Sequence, residues 1–166
     1  MAVYTKLKRE NIEKILASYS IGQLEDFKGI EDGIENTNYF LLVQNKKYIL
    51  TIYEKRVKTE DLPFFSDLMT GLDKEKFKCP VPIKNKNNKT ISSYEDKSLM
   101  IVSFLEGKAK KILSPHNCES LGQEVARMHL ITKNFVIQRQ NNLSIGSWRK
   151  IFDQVRDKCI IIHKDL

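Results

Sequence analysis

The feature that most constrains this chain is the change of pattern at Gly107. Before it, β-prone stretches alternate with short turns; after it, every periodic stretch has helical spacing. Residues 8–18 read as an opening helix, with Ile12, Ile15, Leu16 and Tyr19 on one face and Gly22 able to stop it. Residues 24–30 read as a weak strand, Glu31-Asp32-Gly33 as a turn and 39–43 as a second strand. Gln44-Asn45-Lys46-Lys47 then reads as a hairpin turn and 48–53 as the return strand. Strands in meander order favour an antiparallel sheet. Thr59 is placed to cap the next helix, with Pro63 near its start and Phe65, Leu68, Met69 and Leu72 as its apolar stripe.

Cys79-Pro80-Val81-Pro82-Ile83 reads as extended, because a residue before proline is pushed out of the helical region. Residues 89–94 and 98–105 form a second hairpin that turns at Glu95-Asp96. Leu99-Met100-Ile101-Val102 is almost wholly apolar, so that strand is expected in the middle of the sheet. Beyond Gly107, Ser114 and Pro115 open a helix with the stripe Cys118, Leu121, Val125, Met128 and Thr132. After the polar link 138–142, Ser147 is expected to cap another helix, with Trp148, Ile151, Phe152, Val155 and Cys159 on one face.

Composition narrows the class. With 41% hydrophobic and 30% charged residues the 166-residue chain is not disordered, and with 7 Gly and 4 Pro it is neither collagen-like nor a linker. The length suits one domain, or two small lobes. The net charge of +7 comes from interspersed acids and bases, as in Lys74-Glu75-Lys76, so a solvated surface and a preference for polyanions both remain open. No apolar run approaches the roughly 20 residues that a membrane-spanning helix needs. The first ten residues carry charge early with no apolar core behind them, so no signal peptide is expected. Cys79, Cys118 and Cys159 are scattered and suggest neither a disulfide framework nor a zinc site, which fits a reducing cytoplasm.

Three places can carry chemistry. The loop within 29–40 has Gly33 to permit close backbone approach, and Asn36, Thr37 and Asn38 to offer polar groups, as a loop over phosphates requires. An ordinary hairpin loop has the same composition, and no Gly-Lys-Ser/Thr follows to make it a Walker A loop. On the strand 47–55, a kinase lobe places a lysine that meets phosphates. Here the mid-strand residue is Thr51, and Lys55 lies on the same face ~13 Å further on, as a phosphate lysine or a solvated strand end. Finally, Phe104, Leu105 and Glu106 lead from the apolar strand to Gly107, where a hinge would offer backbone groups to a base edge; a plain strand end reads the same way. His129 reads as a packed or capping histidine and His116 as exposed, no metal-ligand spacing exists, and no nucleophile elbow is present.

The order of elements (helix, three strands, helix, two strands, glycine link, helices) is the layout of a two-lobed kinase. The local motifs go further. Tyr48-Ile49-Leu50-Thr51-Ile52-Tyr53-Glu54-Lys55-Arg56-Val57 with Asp61-Leu62-Pro63-Phe64-Phe65 resembles the signature of bacterial homoserine kinases of the aminoglycoside-phosphotransferase-like type. Gly33-Ile34-Glu35-Asn36-Thr37-Asn38-Tyr39-Phe40, Cys79-Pro80-Val81-Pro82, Val102-Ser103-Phe104-Leu105-Glu106-Gly107, Ala126-Arg127-Met128-His129-Leu130 and Ser147-Trp148-Arg149 are similar too. The resemblance covers essentially the whole chain.

It implies an α+β fold: a protein-kinase-like N-lobe, 1–106, with a five-stranded antiparallel sheet plus helix, followed from 107 to 166 by the hinge and first helices of an α-helical C-lobe. It implies ATP-dependent phosphorylation of the L-homoserine hydroxyl in threonine biosynthesis, in the cytoplasm, with Mg²⁺, and with no nucleic-acid or membrane partner. The ATP-binding residues would be Gly33, Asn36, Thr37, Asn38, Lys55, Phe104, Leu105 and Glu106. Such kinases are roughly twice this length, so the chain is expected to stop before the catalytic loop that supplies the base and the metal ligands. His163-Lys164-Asp165 imitates the start of that loop and is expected to continue a helix or linker. The alternatives are a choline or aminoglycoside kinase of the same superfamily, or a basic module that holds a nucleotide or nucleic acid without chemistry.

Overall fold

A computed structural model describes residues 3–54, 57–159 and 161 of the chain. Strands β1 (Leu24–Ile30), β2 (Thr37–Val43), β3 (Lys46–Ile52), β4 (Ile91–Tyr94) and β5 (Lys97–Ser103) form one antiparallel sheet in the order β1-β2-β3-β5-β4. β5 is therefore interior, as its apolar run requires. Helix α1 (Arg9–Leu16) precedes the sheet, and α2 (Leu62–Lys74) connects β3 to β4 after a 3-10 turn at Thr59–Asp61. Helices α3 (Pro115–Thr132), α4 (Ile145–Asp153) and α5 (Arg156–Cys159) follow. The chain is thus α+β.

Turn chemistry fixes the register. Gln44 and Asn45 have φ of 45° and 58°, the pair of left-handed residues that a two-residue hairpin turn needs. Lys46 and Lys47 consequently belong to β3, pairing with Val43 and Leu42, rather than to a longer turn. β2 starts two residues earlier than its apolar run, at Thr37. From there it buries every second residue, so Thr37, Tyr39, Leu41 and Val43 point one way and Asn38, Phe40 and Leu42 the other.

The buried side of the sheet meets α1. Ile12, Ile15, Leu16 and Tyr19 pack with Tyr39, Leu41, Val43, Tyr48, Leu50, Ile52, Leu99 and Ile101 in one cluster. Each such side chain contributes roughly 1.5–3 kcal/mol by leaving water. Pro82 bridges Val102, and Val81 and Ile83 exchange backbone hydrogen bonds with Ser103 and Ile101, so the extended proline segment pairs with the part of β5 that β4 leaves uncovered.

The helical part corrects two expectations. Ser114 caps α3 as expected, its hydroxyl accepting from Asn117 N at 3.3 Å. The next helix begins at Ile145 with Ser144 at its N-cap; Ser147 is already inside it, its amide donating to Ser144 O at 2.8 Å. Nor does it run on unbroken to Cys159, because Gln154 and Val155 interrupt it before α5. The stripe residues Leu121, Val125, Trp148 and Phe152 remain 64, 40, 59 and 44% exposed. His129 lies exposed in the last turn of α3, which of the packed and capping readings leaves the second.

Candidate functional site

α1 covers one face of the sheet, and cross-strand partners line up in rows on the other. Lys28, Phe40, Ile49 and Val102 form one row; Ile30, Asn38, Thr51 and Met100 form the next, one step closer to the β1–β2 loop. α2 passes the β4 edge, with Ser66 Oγ 2.7 Å from Thr90 Oγ1. Lys28 is exposed and Phe40, Ile49, Thr51, Asn38 and Val102 are half-buried, so this face is partly open.

Under the β1–β2 loop lies a cavity of ≈ 460 Å³ lined by Lys28, Gly29, Ile30, Glu31, Asp32 and Phe40. Gly33 holds φ at +118°, a left-handed conformation that glycine adopts without steric penalty, and so lets the loop turn over this space. At the other end of the rows, the Phe104 ring packs edge-on against Phe40 with centroids 5.6 Å apart. Phe104 N donates to Lys47 O at 3.2 Å, and Lys47 Nζ lies 5.7 Å from the Phe104 ring centre and contacts Glu106 Oε1 at 2.5 Å. Residues 104–106 are thereby pinned to the end of β3, with Leu105 40% exposed beside them.

A larger cavity, ≈ 610 Å³, lies around the end of α1 and Lys86. Lys86 Nζ already donates to Ala17 O at 2.7 Å, closing the helix end, and this space shares no residue with the open rows. The smaller cavity is the better candidate, because it joins a glycine-bearing loop to a half-buried apolar surface and a strand-end connection.

The residues expected from the sequence divide accordingly. Gly33 sits in the loop, Asn38 on the open face, and Phe104, Leu105 and Glu106 at the strand-end connection. Asn36 Oδ1 accepts from Glu54 N at 3.4 Å, which ties the loop to the end of β3. Thr37 is placed differently. It is a β2 residue with no exposed surface, and its Oγ1 accepts from Tyr4 N and Thr5 N and donates to Glu54 Oε1 at 2.8 Å. Its side chain anchors the N-terminal segment on the α1 side and does not face the open rows. Lys55, His163 and Asp165 lie outside the described residues. Among the described residues, no group of three or more His, Cys, Asp or Glu could hold a metal ion.

Strand alternation puts Ile49 on the face of Thr51, but sequence reasoning missed Phe40, Val102 and Lys28 as surface of this face. Continuing the strand alternation back to Thr37, with the two-residue turn setting the register, finds them. It also missed a polar cluster below the loop, which has no local signal because its members are far apart in sequence. Glu54 Oε2 meets Lys97 Nζ at 2.7 Å, Lys97 Nζ meets Thr5 Oγ1 at 2.6 Å, and Glu54 Oε1 accepts from Thr5 Oγ1 at 2.7 Å. Burial acts to raise the Glu54 carboxyl, but hydrogen bonds from Lys97, Thr5 and Thr37 and the Lys97 charge together hold it below the usual carboxylate range.

Comparison with known proteins bears on the family and the fold. The profile of APH, the phosphotransferase enzyme family, matches residues 26–156. A protein named homoserine kinase from Paramagnetospirillum magneticum is 42% identical over 166 residues, all of this chain and 51% of its own length. Another of that name from Methylobacterium radiotolerans is 41% identical over 93% of this chain and 48% of its own length. The chain therefore spans about half the length of the curated relatives it matches. Among solved structures, a spectinomycin phosphotransferase in complex with ADP and spectinomycin superposes with a TM-score of 0.66 at 13% identity, over 93% of this chain and 48% of that one. A microcompartment-associated aminopropanol kinase gives 0.65 at 12%, over 86% of this chain and 48% of that one. At those identities the likeness is one of fold, and it is the kinase-like fold that the element order implies.

Proposed function

Because the chain belongs to the phosphotransferase enzyme family, we propose that it is the nucleotide-binding part of an ATP-dependent homoserine kinase. The enzyme moves the γ-phosphoryl group of ATP to the side-chain hydroxyl of L-homoserine, a step of threonine biosynthesis carried out in the cytoplasm. Residues 1–106 are its N-lobe and 107–166 the hinge and the start of its helical lobe. The observation that carries the substrate is the name homoserine kinase on relatives about 40% identical over nearly the whole chain.

The described residues divide the work by chemistry. Phe40, Ile49 and Val102 give an apolar roof for a base, and the backbone at Phe104, Leu105 and Glu106 gives its edge hydrogen-bonding groups. The Gly33 loop covers the phosphates, with Asn36 and Asn38 beside it. Lys55 remains a proposed phosphate contact. ATP supplies the transferred group; what these residues do is hold and orient it, which is most of the catalysis in phosphoryl transfer. Among the described residues no group of three or more His, Cys, Asp or Glu is gathered to hold a metal ion, and no step here is assigned to Mg²⁺. Its ligands and the base that orients the hydroxyl are assigned to chain outside these 166 residues, which by themselves transfer no phosphate.

The test is an ADP-release assay of the full-length protein with Mg-ATP and L-homoserine, beside choline and an aminoglycoside. Homoserine-dependent turnover at least tenfold above either alternative is expected. Turnover with choline or the aminoglycoside instead would leave the family and replace the substrate. Homoserine-dependent turnover by the 166-residue chain within about tenfold of full length would remove the division of labour.

A further inference from the structure

Among the described residues, the rows of the open face take Ile49 and Thr51 from β3 rather than a cation, and the structure points to what stands in its place. Thr51 is the next-to-last residue of β3 on that face, directly across from Asn38 of β2. Its hydroxyl donates to Asn38 Oδ1 at 2.8 Å. Threonine is stiff at χ1, so this bond holds the amide in one orientation. With its oxygen engaged, Asn38 turns its two N–H donors elsewhere, and they have no acceptor among the described residues. The side chain is half-buried, so those donors face the partly open side of the sheet.

The neighbouring helix agrees with a neutral pair. A strand lysine in a kinase lobe needs a carboxylate from the adjoining helix. The buried positions of α2 are Leu62, Ser66 and Leu72; Ser66 bonds Thr90, and Asp61 at the start of the helix pairs with Arg139 at 2.9 Å. A lysine at position 51 would find no such partner among these residues. The row order gives the direction: Phe40 adjoins Phe104, and Asn38 lies one step nearer the Gly33 loop. A nucleotide with its base at 104–106 carries its phosphates past Asn38.

We infer that Asn38 donates to a phosphate oxygen of the nucleotide and that Thr51 is the positioning residue that aims it, a neutral substitute for the strand lysine. The inference rests on the nucleotide reading above. It is tested by calorimetric titration of ATP and of adenosine into the full-length protein and its Thr51→Val, Thr51→Ser, Asn38→Ala and Thr51→Val/Asn38→Ala variants. Thr51→Val and Asn38→Ala should each weaken ATP roughly three- to tenfold, as loss of one directed hydrogen bond does. Thr51→Ser should stay within about twofold of wild type, the double variant should be no weaker than Asn38→Ala, and adenosine affinity should not move. ATP affinity unchanged in Thr51→Val, or adenosine weakened as much as ATP, or no rescue by serine, would overturn the inference while leaving the nucleotide reading in place. A wild-type protein that binds no ATP at millimolar concentration would remove both.

Discussion

In β2, β3 and β5, Leu41, Leu50, Ile52, Leu99 and Ile101 have no exposed surface, whereas in α3 and α4 Leu121, Leu130 and Trp148 stay 64, 74 and 59% exposed. Both regions carry the apolar periodicity of their element. The difference lies in the partner. α1 lies against the sheet within the same 100 residues and seals it. The α3 and α4 stripes meet no equivalent surface among the described residues, and α3 is held chiefly along α2, by Arg127 donating to Lys76 O at 3.0 Å and by Phe135 of the following segment against Phe64. Periodicity states that a face needs cover; it does not state where the cover comes from.

The sharpest way to break this comparison is to cut the same side chain in both regions. Leu50→Ala opens a cavity in a closed core and should cost roughly 2–5 kcal/mol in denaturant unfolding of the 166-residue chain. A cost below about 1 kcal/mol would mean that the sheet part is not a packed unit. Next in size is Lys97→Met, which leaves the half-buried Glu54 without its cation and should destabilise by about 1–3 kcal/mol. Because the Glu54 carboxyl sits below its ordinary range when folded, its stabilising contribution is present at neutral pH. It is lost as the pH falls from the ordinary carboxylate pKa through the lower folded value. Glu54→Gln should flatten stability across that acid range, and an unchanged acid limb would contradict the role given to the cluster.

Gly33→Val comes third. The left-handed φ is costly for a β-branched residue, so the loop should shift and ATP affinity of the full-length protein fall about tenfold with little change in melting temperature. Unchanged affinity would take the loop out of the site. Smallest is Leu121→Ala, within about 0.5 kcal/mol in the 166-residue chain, because little is buried there to lose. If it matched Leu50→Ala, the two regions would not differ as described.

Much of the sheet could be read from the chain. The apolar runs and the turns at Gln44-Asn45 and Glu95 are local signals, and they placed all five strands within a few residues. Ser147 misled because Ser144, three residues earlier, has the same capping chemistry. Only the backbone decides between the two. Thr37 misled because it lies at the border of loop and strand, where one residue of register turns a side chain from the ligand side to the core side. The Glu54–Lys97 pair spans 43 residues and rests on chain topology alone. The Thr51–Asn38 bond needed only the hairpin register, so it was within reach of the sequence and was not drawn from it.

The claim that the open rows, the Gly33 loop and residues 104–106 form a nucleotide site is tested most directly by hydrogen exchange of the full-length protein with and without ATP. Binding should slow exchange in residues 30–40 and 103–107 and leave 13–24 and 86, around the larger cavity on the α1 side, unchanged. Protection confined to that cavity, or none at 30–40 with ATP bound, would contradict it.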